Sequence, residues 1–202
     1  IFAAFFVVLA VVIATVELRS RTLGPPPVIE LETAADERFV SAGINKDGIP
    51  SIDAPVFVGI SEADVYLSDD GRGLSVTLGG VTRFYPYQIL VWHEVVNDTI
   101  ADIPIAVTYC ALCDSGMVYQ RSVHGSVLTF GVSGQVWNAN TILYDRETDS
   151  RWSQLLGKAL DGNYDGTQLI PFPSQVMTGA DWKSKYPFGQ VLSKETGVVR
   201  DY

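Results

Sequence analysis

Two cysteines separated by two residues are the strongest candidates for chemistry in this chain of 202 residues. They are Cys110 and Cys113, the only cysteines in the sequence, in the order Cys110-Ala111-Leu112-Cys113. Such a pair has three uses: it supplies two thiolate ligands to a metal ion, it cycles between dithiol and disulfide, or it forms a permanent disulfide that fastens one turn. The residue types alone leave all three uses open.

The residues after the second cysteine exclude one cofactor and disfavour one fold. Covalent attachment of a c-type haem requires His directly after the pair, and this chain has Asp114 there. Thioredoxin-like proteins place the motif at the start of a helix, whereas here Asp114-Ser115-Gly116 leads into the strand-like run 117–121. We therefore expect the pair to lie in a turn between two strands.

A histidine within a polar stretch offers a third ligand. His93 lies in the segment 92–98, where buried polar groups must find partners or ligands, because leaving one unpaired costs about 1–3 kcal/mol. A set of two cysteines and one histidine with an open fourth position suits zinc or copper. The alternative is a core histidine that hydrogen-bonds to the backbone. The second histidine, His124, precedes Gly125 and is predicted to lie on an exposed hairpin turn.

The elements that position these groups are predicted to be strands. Short β-rich runs alternate with turn signals and lack recurring helical segments between them, which disfavours a parallel sheet. The runs are 56–60, 74–78, 81–85, 103–109, 117–121, 127–132 and 141–144. We expect a mainly β (α+β) fold, an antiparallel β-barrel or sandwich, with a few short helices at 61–67, 87–96 and 179–186.

Other conspicuous residues have structural interpretations. The charged strip 145–151 is predicted to be a turn held by pairs of opposite charge rather than a set of catalytic carboxylates. Trp137, Trp152 and Trp182 are predicted to anchor the core or an interface rather than to stack on a ligand.

The first residues of the chain are far more hydrophobic than the rest. Residues 1–16 contain no charged side chain, and only Thr15 is polar, which is typical of a membrane-spanning helix. At about 1.5 Å per residue this segment is shorter than a hydrocarbon core of about 30 Å, so we expect further residues upstream. The prolines at 25–27 cannot continue a helix. The predicted parts are a transmembrane anchor at 1–18, a Pro-rich stalk or linker at 19–43 and a β-rich domain at 44–202.

Small residues on the anchor and the overall charge indicate the class of partner. Ala3, Ala10 and Ala14 recur at heptad-like spacing, and membrane helices pack closely through such positions. We therefore expect the anchor to lie in the lipid bilayer against an integral membrane protein. The chain has a formal net charge of -9, which argues against nucleic acid as a partner, because that binding depends on a basic surface.

Several stretches along the body of the chain together carry a resemblance: 46–50, 85–86, 92–98, 107–113, 128–134, 144–148, 150–154, 180–182 and 191–193. They resemble a prokaryotic family known as domain of unknown function 3179, over about residues 44–193. The resemblance implies an exported or membrane-tethered protein, and therefore a domain on the extracytoplasmic (periplasmic) side of the membrane. The family has no established activity, so the resemblance supplies no mechanism.

The cysteine turn departs from that family pattern at two positions. Where the family has Pro and Gly, this chain has Ala111 and Asp114. The loss of Pro makes the turn less rigid, and the loss of Gly restricts the backbone conformation where the chain leaves the turn. Asp114 also offers a carboxylate as a further ligand. Both cysteines and His93 are at their family positions, and this favours a joint site of Cys110, Cys113 and His93.

Two functions from different classes are compatible with these features. The first is a membrane-anchored extracytoplasmic domain with a metal-binding site, for zinc or copper, or a thiol-redox site. The alternative is a non-catalytic accessory or structural subunit of a larger integral membrane complex, for example an energy-converting one, which stabilises assembly through its anchor and acidic β domain. The sequence has no Ser-His-Asp order, phosphate loop or dinucleotide fingerprint that would predict a standard enzyme class.

Overall fold

Strands dominate residues 38–202, the part of the chain that the computed structural model describes. The predicted anchor, the stalk up to residue 37 and the packing positions Ala3, Ala10 and Ala14 lie outside the described residues. Within the described part there are three helices, each of seven residues or fewer. A mainly β domain with a few short helices is therefore confirmed.

The helices and strands are short and follow one another closely. The helices are α1 (Ile60–Ala63), α2 (Tyr87–Leu90) and α3 (Gly179–Lys185). The strands are β1 (Val40–Ser41), β2 (Phe57–Val58), β3 (Arg72–Leu78), β4 (Val81–Pro86), β5 (Val95–Ile100), β6 (Ile103–Cys110), β7 (Ser115–Gln120), β8 (Ser122–Val123), β9 (Ser126–Val127), β10 (Phe130–Trp137), β11 (Asn140–Asp145), β12 (Arg151–Ser153), β13 (Ser174–Thr178) and β14 (Gln190–Leu192).

Within residues 38–202 the strands form four separate sheets rather than one closed sheet. The strand orders are β1-β10-β11-β12, β13-β3-β4-β14-β2, β5-β6-β7 and β8-β9. Neighbouring strands pair in antiparallel fashion, except that β14 pairs with β4 in parallel. The predicted antiparallel pairing is confirmed. Because β1 pairs with β10, residues before the predicted domain start at 44 already take part in a sheet.

Tight turns position the strands that carry the cysteines. Ala101 and Asp102 join β5 to β6 with φ values of 46° and 63°, and two such residues form a hairpin turn that matches the twist of the strands. β6 ends at Cys110 and β7 begins at Ser115, and these two residues are paired across the ladder. The cysteine pair therefore lies between two antiparallel strands, as the sequence predicts.

The core holds the large aromatic residues and supports the sheets from within. Trp152 and Trp182 have no exposed surface, and Trp152 packs edge to face on Phe130 of β10. Their predicted role as core anchors is confirmed, whereas Trp137 at the end of β10 is half-buried. Burial of such large apolar surfaces is the dominant favourable contribution to folding.

The predicted helix over 87–96 is wrong beyond α2. Glu94 has φ of 56°, a left-handed conformation that interrupts the helix, and Val95 begins β5. The β-branched pair Val95 and Val96 favours a strand, and it gains a full ladder of hydrogen bonds with β6. This change of direction brings the segment around Glu94 beside the end of β6. No helix within residues 38–202 is long enough and apolar enough to cross a membrane.

Candidate functional site

The turn between β6 and β7 holds the two cysteines in different environments. Cys110 is the last residue of β6 and is fully buried, whereas Cys113 is exposed in the turn. Both are free thiols. A buried and an exposed thiol within one turn can react in sequence, because the exposed sulfur meets a partner first.

Hydrogen bonds favour the thiolate form of Cys113. Its Sγ lies 3.0 Å from the Ser115 hydroxyl, and the side-chain amide of Asn140 donates to it at 3.4 Å. Burial acts to raise the pKa of the Cys113 thiol, but hydrogen bonds from Cys110, Ser115 and Asn140 outweigh it and leave the pKa below its ordinary value. The exposed cysteine is therefore the stronger nucleophile of the pair near neutral pH.

The buried cysteine is shifted in the opposite direction. Burial raises the pKa of the Cys110 thiol, and the hydrogen bond with Cys113 raises it further, while contacts with Thr141 of β11 lower it to a smaller extent. Cys110 therefore keeps its proton at a pH where Cys113 loses one. The pair therefore combines an exposed, more nucleophilic cysteine with a buried, protonated one.

A buried glutamine fixes the groups that contact Cys113. Gln154, which follows β12, accepts hydrogen bonds from the Asn140 amide at 2.9 Å and from the Ser115 hydroxyl at 3.3 Å. Its own amide donates to Thr108 Oγ1 at 3.0 Å. Because Gln154 has no exposed surface, these bonds lock its orientation, and with it the orientation of both partners of the Cys113 sulfur.

Glu94 is the second titratable group close to the turn. Its side chain is only 6 % exposed, and burial raises its pKa from 4.5 to about 7 against the opposing effect of a hydrogen bond with Thr141. Hydrogen bonds with Thr141 lower the pKa of both Glu94 and Cys110, so Thr141 contacts both groups. The backbone oxygen of Glu94 accepts from the Tyr109 N–H at 2.8 Å, which fastens this segment to β6.

A cavity of about 370 Å³ adjoins the cysteine turn. Ala111 and Leu112 of the turn form part of its wall, together with Glu94 and Thr141. The buried carboxyl group and the cysteine turn therefore border the same space.

Comparison with known proteins identifies the family but not an activity. A family model described as Protein of unknown function (DUF3179) matches residues 46–202. The chain belongs to this family. The match contains both cysteines, His93 and all the residues that surround the thiols. No curated protein and no solved structure matches the chain.

His93 of this DUF3179 domain uses both ring nitrogens away from the thiols. Nδ1 lies 2.7 Å from the Pro50 carbonyl oxygen, and Nε2 lies 2.6 Å from the hydroxyl of Tyr202. Burial lowers the pKa of His93, so the neutral ring is favoured. The structure therefore does not bring His93 together with Cys110 and Cys113, and its contacts are those of the core histidine that the sequence left open as the alternative.

The predicted fourth ligand is also engaged elsewhere. Asp114, with φ of 47°, pairs with Arg72 at 2.9 Å and accepts from the Tyr109 hydroxyl at 2.9 Å. Within residues 38–202 no group of three or more His, Cys, Asp or Glu side chains is arranged to hold a metal ion. As placed, the candidate ligands do not form a zinc or copper set, and metal binding stays a prediction that elemental analysis can test.

The charged strip after β11 forms a turn fastened to neighbouring segments. Asp145 is buried and accepts hydrogen bonds from the Thr148 N–H at 2.7 Å and from the Trp152 indole at 2.9 Å. Arg146 pairs with Asp53 at 2.5 Å, outside the strip. Pairs of opposite charge hold this DUF3179 turn, as the sequence predicts, although the partners lie in distant segments.

Sequence reasoning missed most of the residues that surround the sulfur atoms. Ser115 belongs to the sheet of β5, β6 and β7, whereas Asn140 and Gln154 lie in or next to the sheet that contains β11 and β12, so the three meet only where the two sheets adjoin. The available signal was weak: Gln154 ends one of the stretches that resemble the family, and Glu94 belongs to a polar cluster set among large apolar residues. Neither feature alone indicates contact with a thiol.

Proposed function

We propose that this domain carries out thiol–disulfide exchange, with Cys113 as the attacking thiolate and Cys110 as the resolving thiol. The observation that supports it best is the contrast between the two sulfurs: Cys113 is exposed and its pKa is lowered, whereas Cys110 is buried and its pKa is raised. Reactivity in such exchange follows the thiolate fraction and the access of the attacking sulfur.

The proposed reaction has two steps. The Cys113 thiolate attacks one sulfur of a substrate disulfide, so that a mixed disulfide forms and the other substrate sulfur leaves as a thiolate. Cys110 then loses its proton, attacks the Cys113 sulfur and releases the second substrate thiolate. The substrate gains two electrons and the domain is left with a Cys110–Cys113 disulfide, which a dithiol reductant returns to the starting state.

Glu94 is the proposed proton acceptor for the second step. The pKa of Glu94 is about 7, and Glu94 shares Thr141 with Cys110, so a proton leaving the buried thiol has an acceptor nearby. A carboxyl group with a pKa near the working pH can both take up this proton and release it to a leaving thiolate.

The proposed setting is the extracytoplasmic side of the membrane. Disulfide chemistry is sustained in oxidising compartments such as the periplasm. The apolar residues 1–16 would tether the domain to that surface as a single-pass anchor.

Trapping the mixed disulfide tests the proposal. In the full chain, Cys110→Ser should release one equivalent of thionitrobenzoate from the aromatic disulfide DTNB and keep the other as an adduct on Cys113. The unaltered protein should release two equivalents and retain no adduct. Cys113→Ser should react at least about tenfold more slowly. Equal rates for the two single variants, or an adduct that persists on the unaltered protein, would overturn the proposal.

A second candidate function rests on the N-terminal segment. An uncharged run with small residues at Ala3, Ala10 and Ala14 favours packing against another membrane helix. On this view the domain is an accessory subunit of an integral membrane complex. This subunit would be non-catalytic, so it is an alternative to the exchange function.

A further inference from the structure

The cavity beside the cysteine turn is lined by both apolar and polar residues. Apolar side chains from three segments form much of the wall: Ile44, Ile49, Leu112, Val132 and Val136. Its volume of about 370 Å³ is at the small end of the usual range for ligand sites, about 300–1,000 Å³. The space therefore suits one large side chain with part of its backbone better than an extended ligand.

The polar residues that line the cavity are Ser41, Glu94, Gln135 and Thr141. Glu94 is more than nine-tenths buried and is one of the residues that line the cavity, which offers an occupant a polar contact. A carboxyl group accepts a hydrogen bond from a backbone N–H when ionised and donates one to a backbone carbonyl when protonated. A peptide group offers both, so it can pair with Glu94 in either state.

The cavity lies directly before the reactive thiol in the chain. Ala111 and Leu112 line it, and Cys113 is the next residue. Neighbouring residues of an extended peptide are about 3.3 Å apart, so a substrate residue adjacent to a disulfide can occupy the cavity while its cysteine meets Cys113. Leu112 is 68 % exposed and extends the apolar surface beyond the cavity rim.

We propose that the cavity receives a large apolar side chain adjacent to a cysteine of the substrate, and hence that the substrate is a polypeptide disulfide. This inference rests on the proposed exchange activity. A small disulfide such as oxidised glutathione fits less well, because its several carboxylates would face an apolar wall and a protein of net charge -9.

Single-turnover kinetics with matched peptides test the inference. The reduced full chain is mixed with disulfide-linked dimers of four peptides: acetyl-Phe-Cys-amide, acetyl-Ala-Cys-amide, acetyl-Cys-Phe-amide and acetyl-Cys-Ala-amide. The two orders place the apolar residue before or after the cysteine. The second-order rate constant of the better Phe peptide should exceed that of its Ala counterpart by about tenfold or more, and it should also exceed that of oxidised glutathione.

Two variants connect this preference to the cavity. Val136→Trp fills the space, so the ratio of the rate constants for the Phe and Ala peptides should fall towards one. Leu112→Ala should also reduce the preference for the Phe peptide. Because Leu112 is exposed, this variant should fold, and it tests the cavity even if Val136→Trp misfolds. Val127→Trp places the same bulk at an exposed site on β9 and should leave the preference unchanged.

The possible outcomes separate this inference from the proposed function. Equal rates for Phe and Ala peptides, a faster reaction with oxidised glutathione, or a Phe preference that survives Val136→Trp would overturn the inference while exchange activity stands. No reaction with any of these disulfides would overturn both.

Discussion

At the scale of single residues, the two thiols differ because their hydrogen-bond partners differ. Cys113 has the Ser115 hydroxyl and the Asn140 amide as partners, and both favour its thiolate. Cys110 lies in the core, where charge is disfavoured. The chemistry of the pair therefore depends on neutral donors rather than on a positively charged neighbour.

Removal of one donor should weaken the nucleophile. Ser115→Ala removes a hydroxyl that lowers the pKa of Cys113, so the thiolate fraction should fall and iodoacetamide should label Cys113 about two- to tenfold more slowly near neutral pH. Labelling rates measured against pH provide the test. Ser126→Ala, at an exposed position of β9, should leave the profile unchanged. An unchanged profile for Ser115→Ala would show that the Ser115 hydroxyl does not lower the pKa of Cys113.

Glu94 should make stability depend on pH. A carboxyl group whose pKa is raised by folding binds its proton more tightly in the folded state, so its contribution is full below pH 4.5 and is lost as the pH rises through about 7. The full effect corresponds to up to about 3 kcal/mol in the free energy of unfolding. Glu94→Gln has no charge to gain, so its free energy of unfolding, measured by urea denaturation, should fall much less between pH 4.5 and about 7 than that of the unaltered protein.

A matched exposed residue serves as the control for that measurement. Glu195→Gln removes an exposed carboxylate, so its free energy of unfolding should change with pH as that of the unaltered protein does. If Glu94→Gln retained the full loss of stability between pH 4.5 and 7, Glu94 would not be the buried acid of this site.

At the scale of helices and strands, the site depends on the hairpin of β6 and β7 and on the segment that follows β12. Tyr119 of β7 donates from its hydroxyl to the carbonyl oxygens of Gln154 at 3.0 Å and of Leu155 at 2.9 Å. Gly157 follows with φ of 62°, and a Cβ there would lie 2.4 Å from the Tyr119 ring. This glycine lets the segment approach β7 closely enough for Gln154 to reach Ser115.

Gly157→Ala should therefore disturb both stability and the site. Left-handed strain and the clash with the buried Tyr119 ring together should cost about 2–4 kcal/mol in unfolding free energy. Gly125→Ala, at φ of 84° with no atom within 4 Å of its Cβ, should cost only about 1 kcal/mol. Urea denaturation gives both values, and equal costs would contradict the close approach at Tyr119.

The sequence predicted local structure better than it predicted the contacts of the site. Runs of β-branched and aromatic residues located strands such as β3, β6 and β11, and turn residues located the cysteine hairpin. The helix over 87–96 was mistaken because its spacing fits a helix, whereas pairing with β6 determines the fold of Val95. His93 and Asp114 were expected to join the cysteines, but their actual partners, Tyr202 and Arg72, are set by tertiary structure alone.

At the scale of the whole molecule, the predicted anchor gives the proposed chemistry its location. Deletion of residues 1–23 should abolish co-purification of a membrane protein partner from detergent extracts, because close packing through Ala3, Ala10 and Ala14 would be lost. Quantitative mass spectrometry of the co-purified material provides the readout. A truncated chain that retains every partner with undiminished affinity would show that the segment is only a tether.

The central claim is that Cys110 and Cys113 interconvert between dithiol and disulfide. Equilibration of the full chain in dithiol–disulfide buffers of known potential, followed by intact-mass measurement, tests it most directly. We predict one reversible two-electron transition, in which oxidation removes the mass of two hydrogens, with a midpoint potential above roughly −300 mV, the value below which structural disulfides lie. A dithiol–disulfide couple with a midpoint potential below that value, or thiols held unoxidised by stoichiometric zinc or copper, would contradict it.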